Sequence, residues 1–218
     1  TGHSHNGTSH RILTEIADLA TNLNPGATYY AEAQYVTPHE YAHCQTNPTQ
    51  CNMYNNVSYR RYNVSGTTSP FSFSPAAATV RAKSAITAWT GATIVEINPA
   101  PGVDGIAMIG YKVTQTSPGT WHYEYAVYNQ NLDRGIQSFS IPINTGVTLT
   151  NTGFRAPAQH PASVADGTFN SQGFSSTPWT PTLDAGAMTW ATETVAQNQN
   201  ANAIRWGTMY NFRFDSNR

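Results

Sequence analysis

His39, Glu40 and His43 stand in the spacing HExxH, the one string in the chain whose residue types match a catalytic motif. On a helix the two imidazoles fall one turn apart on one face, where both can ligate Zn²⁺ while the glutamate activates the metal-bound water. The helix is therefore the test. Pro38 suits a first helical position, but Cys44-Gln45-Thr46-Asn47-Pro48-Thr49-Gln50-Cys51-Asn52 is made of breakers and turn formers, so at most about two turns are expected. Tyr41, Ala42 and Cys44 are the apolar residues it offers for burial, and Thr46 and Thr49 stand where an extended zincin pattern carries Gly and His. The motif is accordingly expected in a loop, and a zinc-dependent metallohydrolase using His39, Glu40 and His43 is the alternative to a non-enzymatic reading.

Two further sets of residues have ligand chemistry. His3 and His5, with His10 nearby, present neutral imidazoles suited to Zn²⁺ or Cu²⁺, and His39 and His43 would complete a composite site if the terminus packed against them. The bland reading is a solvated terminus. Asn129-Gln130-Asn131-Leu132-Asp133-Arg134-Gly135 has oxygen ligands at alternate positions, yet lacks the first Asp, the correctly placed Gly and the bidentate Glu of a calcium loop, so calcium is not expected and a hairpin connection is. Trp179, in Ser176-Thr177-Pro178-Trp179-Thr180-Pro181, sits in an irregular stretch rich in polar residues. It is the candidate ligand-binding aromatic, with a lid over the core as the competing role. Trp190 and Trp206 fit strand periodicity and are expected in the core.

What must position these residues is mostly β-structure. At 218 residues the chain is long enough to bury a substantial core. From about residue 29 onward, short runs of alternating apolar and polar residues are separated by Gly, Pro and Asn clusters, which predicts antiparallel strands in a sandwich or barrel. The clearest run is Trp121 to Tyr128, with Trp121, Tyr123, Tyr125 and Val127 on one face and His122, Glu124, Ala126 and Tyr128 on the other. Residues 9 to 23 read as a strand followed by a helical turn, and the segments 155 to 169 and 171 to 181 as surface loops. The stretch from Asn98 to Gly105 is the expected boundary between an N-terminal β-rich domain, 1 to 100, and a C-terminal sandwich, 101 to 218.

Composition narrows the partners. Charged residues are 11% of the chain, the net charge is -1, and Lys83 and Lys112 are the only lysines, so no electrostatic footprint for nucleic acid exists. No apolar run is long enough to insert into a membrane. Weak charge repulsion also favours self-association into an oligomer or fibre. Cys44 and Cys51 bracket a short polar loop, and a disulfide across it would contribute roughly 2 to 3 kcal/mol in the chain-entropy model. Such a bond implies an oxidising, extracellular address. The first residue is Thr1, as expected of a mature product or a fragment of a longer precursor.

Gly110-Tyr111-Lys112-Val113-Thr114, the run from Trp121 to Pro142 and the run from Asn202 to Phe212 together resemble uncharacterised secreted bacterial proteins. The central run is also similar to exported immunoglobulin-like domains. This resemblance covers most of residues 29 to 218 and implies an all-β, antiparallel immunoglobulin-like β-sandwich, with two packed β-rich halves, outside the cell or at the bacterial surface. It carries no catalytic residue. The expectation is therefore a secreted, non-enzymatic structural or binding protein that assembles with itself or binds glycan.

Overall fold

The computed structural model describes residues 12–47, 56–160, 162, 168–184 and 186–218. His3, His5, His10 and Cys51, and with them the terminal histidine cluster and the expected disulfide partner of Cys44, lie outside the described residues.

The described residues form an all-β, antiparallel architecture with strands in three sheets. The central five-stranded sheet has the order β5-β6-β7-β12-β9, built from Thr93–Ile97, Ala107–Ser117, Thr120–Asn129, Thr208–Ser216 and Leu149–Arg155. One face of it packs on a three-stranded sheet of β10 (Thr180–Asp184), β11 (Ala187–Ala191) and β8 (Ser138–Pro142). The alternation in β7 dictates this arrangement: Tyr123, Tyr125 and Val127 point into the same core as Tyr210, Phe212 and Phe214 of β12, and Met188 and Trp190 of β11 close it from above. The rings are densely interlocked, with Phe139 and Phe212 centred 4.9 Å apart and Tyr123 and Phe214 4.7 Å apart.

The opposite face of the central sheet is also covered. A 3₁₀ turn, Ala85–Ala88, lays Ile86 against Ile106, Met108, Ala126 and Tyr128, with Trp89 and Ile94 at the margin. Beyond it stands the N-terminal sheet of β1 (Tyr29–Gln34), β2 (Val57–Ser65) and β3 (Ser72–Pro75), with the short β4 (Val80–Arg81) also on β2.

β5 pairs along its whole length with Ala107–Tyr111 of β6. The Pro and Gly stretch 98 to 105, expected as a domain boundary, is thus the connection between neighbouring strands of one sheet. The segment 129 to 135, expected as a hairpin, instead carries the chain from the central sheet to the three-stranded one. Asn129 holds it: its Oδ1 accepts from the Leu132 N–H at 2.8 Å, and its fully buried amide donates to the carbonyls of Leu132, Arg134 and Ile204.

Two other local expectations change. No strand forms over residues 12 to 15, and Ile12 is 90% exposed; only the helical turn α1, Ile16–Leu19, follows. Thr180–Asp184, expected partly as loop, is β10. It is an edge strand, where Pro181 need not supply a ladder hydrogen bond. No helix among the described residues is long and apolar enough to cross a membrane.

Candidate functional site

HEYAH is helical, contrary to the loop expected for it. α2 spans Pro38–Thr46 with Pro38 in its first turn, and Thr37 Oγ1 lies 3.3 Å from Glu40 Oε2 at the start. The helix stops where Asn47 N–H donates to His43 O at 2.8 Å, just before Pro48, so the breakers set its end and leave nine residues intact. Its two sides differ. His39 and His43 are exposed, whereas Cys44 is 3% exposed and Glu40, one turn before it, is half-buried and lines a cleft with it. No group of three or more His, Cys, Asp or Glu residues among the described residues is arranged to hold a metal ion, and no described cysteine is a free thiol.

The cleft that Glu40 faces has a volume of about 400 Å³. It is built where three pieces of chain converge. The end of β1 supplies Gln34, Tyr35 and Val36; the loop before β6 supplies Val103, Asp104 and Gly105; the loop after β7 supplies Gln130, Asn131 and Asp133. The last two loops touch through their backbones: a Cβ on Gly105 would fall 2.1 Å from Asn131 O, so only glycine permits this approach. Asp104 locks the contact, its Oδ1 accepting the N–H groups of Gly105 at 2.7 Å and Asp133 at 2.9 Å. Across the opening, Gln45 of α2 donates to Val103 O at 3.1 Å.

Trp206 forms one wall. Strand alternation places it in the core, but Arg205-Trp206-Gly207-Thr208 is a turn, closed by Thr208 N–H to Arg205 O at 3.0 Å with Gly207 at φ 72°. The turn breaks the alternation before β12 begins at Thr208 and leaves the indole 45% exposed. Its Nε1 donates to Gln34 Oε1 at 2.7 Å, and Gln34 Nε2 donates in turn to Tyr128 OH at 2.7 Å and Gln130 O at 3.0 Å. Tyr128 OH donates to Glu32, whose other oxygen accepts from Ala85 N–H at 2.5 Å, and Ser84 donates to Gln130 Oε1. Burial, followed by the Glu32 charge, pushes the Tyr128 phenol far up, so it remains a proton donor to the carboxylate. The indole is therefore held by its edge in a chain of hydrogen bonds that fixes its plane.

The chemistry of the lining is one-sided. Trp206 and Tyr35, the latter 82% exposed, supply aromatic surface; Gln34, Gln45 and Asn56 supply amides, while the buried Gln130 and Asn131 side chains accept from Ser84 and from Ile106 N–H; Glu40, Asp104 and Asp133 supply carboxylates. No Lys, Arg or His is among the described residues that line the cleft. The exposed Arg134 pairs with the lining Asp104, Nε to Oδ2 3.3 Å, so carboxylates outnumber cations here, and hydroxyl groups find both acceptors and amides.

Trp179, the aromatic expected to bind ligand, takes the other role weighed for it. It is 2% exposed, stacks on Phe154 at 5.8 Å and donates through Nε1 to Asn202 O at 2.5 Å. The Pro-rich segment folds it inward as a lid over the main core.

A separate polar cluster lies on the central sheet, where β7 and β12 bring His122 opposite Asp215. His122 Nδ1 is 2.6 Å from Asp215 Oδ1 and Nε2 is 2.9 Å from Glu124 Oε2. The Asp215 hydrogen bond first, then that of Glu124, raises the imidazole pKa above 6.5; Asn151 and then His122 lower that of Asp215 below 3.8. A raised histidine value stabilises the fold fully below the unfolded value and loses that contribution as pH climbs through the folded one. A depressed aspartate value contributes above 3.8 and is lost as pH falls through the folded one. The cluster is thus at full strength from about pH 4 to about pH 6.5. Thermal melts of the protein and of His122→Gln should differ more at pH 5 than at pH 9; an equal difference at both would contradict this.

Fold and cleft together define an all-β antiparallel sandwich with an additional N-terminal sheet and a solvent-open, carboxylate-rich cleft at the joint. No protein-family model matches the chain, and no curated protein or solved structure matches it.

Proposed function

We propose that this is a non-enzymatic binding protein that takes a neutral glycan in the cleft at Trp206. The observation that carries the reading is the Trp206 indole itself. Gln34 holds its edge and nearly half its surface is exposed at the cleft, amid amides and carboxylates that outnumber the one cation, Arg134, paired with Asp104. The C–H face of a sugar ring stacks on such an indole while its hydroxyls pair with the amides and carboxylates around it. The resemblance to secreted bacterial proteins supports an extracellular setting, and the immunoglobulin-like subtype rests on the same resemblance. The test is retention on a panel of immobilised neutral oligosaccharides by the protein and by Trp206→Ala. We expect retention of the first and loss of the second; no retention of either would overturn the reading.

Self-association through the central sheet is a second reading, favoured by one region. Tyr111 and Val113 of β6 and Val95 and Ile97 of β5 share a face and are exposed. β5 pairs with β6 only as far as Tyr111, so Lys112–Ser117 present an outer edge that β5 leaves unpaired. Antiparallel pairing of this edge with a second copy opposes Lys112 to Ser117 and no two like charges. Sedimentation at rising concentration should show mass above the monomer, lowered by Val113→Lys; a constant monomer mass would remove this reading.

A further inference from the structure

Two imidazoles on α2 have no role in holding the fold. His39 and His43 stand four residues apart on this helix of nine, and both are exposed. Neither ring makes a hydrogen bond or ion pair with another described residue, whereas both ring nitrogens of His122 are taken up by carboxylates. At this spacing on a helix the Cβ atoms lie about 5 to 6 Å apart. Each ring can therefore turn one nitrogen onto a shared ion at about 2.0 to 2.1 Å. Paired imidazoles suit Zn²⁺, Cu²⁺ or Ni²⁺, while Ca²⁺ and Mg²⁺ take oxygen ligands. No third His, Cys, Asp or Glu among the described residues completes a group around them, so the chain supplies two ligands and water the rest. Glu40, the residue that would activate such a water in a hydrolase, lines the cleft instead. The pair is suited to holding an ion, not to using it on a substrate.

The two ends of α2 are held unequally. His43 O accepts from Asn47 N–H at 2.8 Å, from Thr46 Oγ1 at 3.1 Å and from Asn47 Nδ2 at 3.3 Å, so side chains fix the last turn. At the other end Thr37 gives no side-chain cap to the backbone N–H groups. Nine residues fall short of the roughly 12 to 15 that sustain a helix alone in water, and among its described side chains only Cys44 is buried. An ion shared by His39 and His43 ties the uncapped first turn to the fixed last one. It thereby also steadies Glu40 in the cleft wall.

We infer that His39 and His43 form a two-ligand site for a divalent transition-metal ion, which staples α2. The probe is Zn²⁺, titrated at about pH 7.5 into the full isotope-labelled chain while the ring resonances of all seven histidines are followed by NMR. His39 and His43 should shift together with one common midpoint, and amide exchange in α2 should slow. His39→Ala and His43→Ala are made at exposed positions where alanine favours the helix, so the fold is kept. Each should weaken binding at the remaining ring about tenfold or more, as loss of one arm of a chelate does. Zinc that shifts only the other histidines, or a variant whose remaining ring responds at the same ion concentration as before, would overturn the site. Joint shifts with amide exchange unchanged would overturn the staple.

Discussion

Trp179→Ala should cost about 3 to 5 kcal/mol of folding stability, the range for truncating a large buried aromatic. The indole is enclosed by Phe154, Tyr210 and Phe212, with ring centres 5.5 to 5.8 Å away, so its removal leaves a cavity that these rigid rings cannot collapse into. A second loss adds to the first. Asn202 O would lose the donor at 2.5 Å, in a network where Asn202 also accepts from Tyr210 OH at 2.6 Å and donates to Thr177 O at 2.8 Å. Burial already pushes the Tyr210 phenol up to about 12, which marks how little water reaches this corner. Against a typical total stability of about 5 to 15 kcal/mol, the substitution removes a large share. Urea denaturation reads it directly: the midpoint should fall sharply with the slope unchanged. A shift below about 1 kcal/mol would place Trp179 outside the main core.

Trp206→Ala should do the opposite, sparing the fold and removing the binding. With 45% of its surface exposed, the indole contributes little to the core, and the one hydrogen bond lost is at the surface, where water can replace it at Gln34. Truncating a central aromatic anchor costs about 2 kcal/mol or more of binding energy, a loss of roughly thirtyfold in affinity. Calorimetric titration of a retained sugar, paired with a thermal melt, separates the effects. An unchanged melt with lost binding is expected; a melt lowered as far as that of Trp179→Ala would make Trp206 a structural residue.

The contrast between these two tryptophans shows what the sequence made legible. Alternation in Trp121 to Tyr128 and in Tyr210 to Phe214 identified the strands that carry the core, because a half-buried sheet forces period two on its side chains. The same rule misplaces Trp206, because Gly207, at positive φ, ends the strand register before it. That glycine was the available signal. Trp179 carried no periodic signal, because a Pro-rich segment folds back according to tertiary packing. β10 was hidden for a related reason: Pro181 reads as a breaker unless the strand is known to lie at an edge. In α2 the breakers after His43 set where the helix ends, and they do not prevent the nine residues before them from coiling. The cleft itself was not legible, because its walls come from positions 34, 40, 103, 131 and 206, which only the fold brings together.

Glycan binding at Trp206 is tested most directly by following the five indole N–H resonances by NMR as a mixture of neutral oligosaccharides is added to the isotope-labelled protein. The Trp206 resonance and the Gln34 side-chain amide should shift together in a saturable way, while the buried Trp179 and Trp190 resonances stay in place. Saturable binding that leaves Trp206 and Gln34 unmoved, or no binding at all, would contradict it.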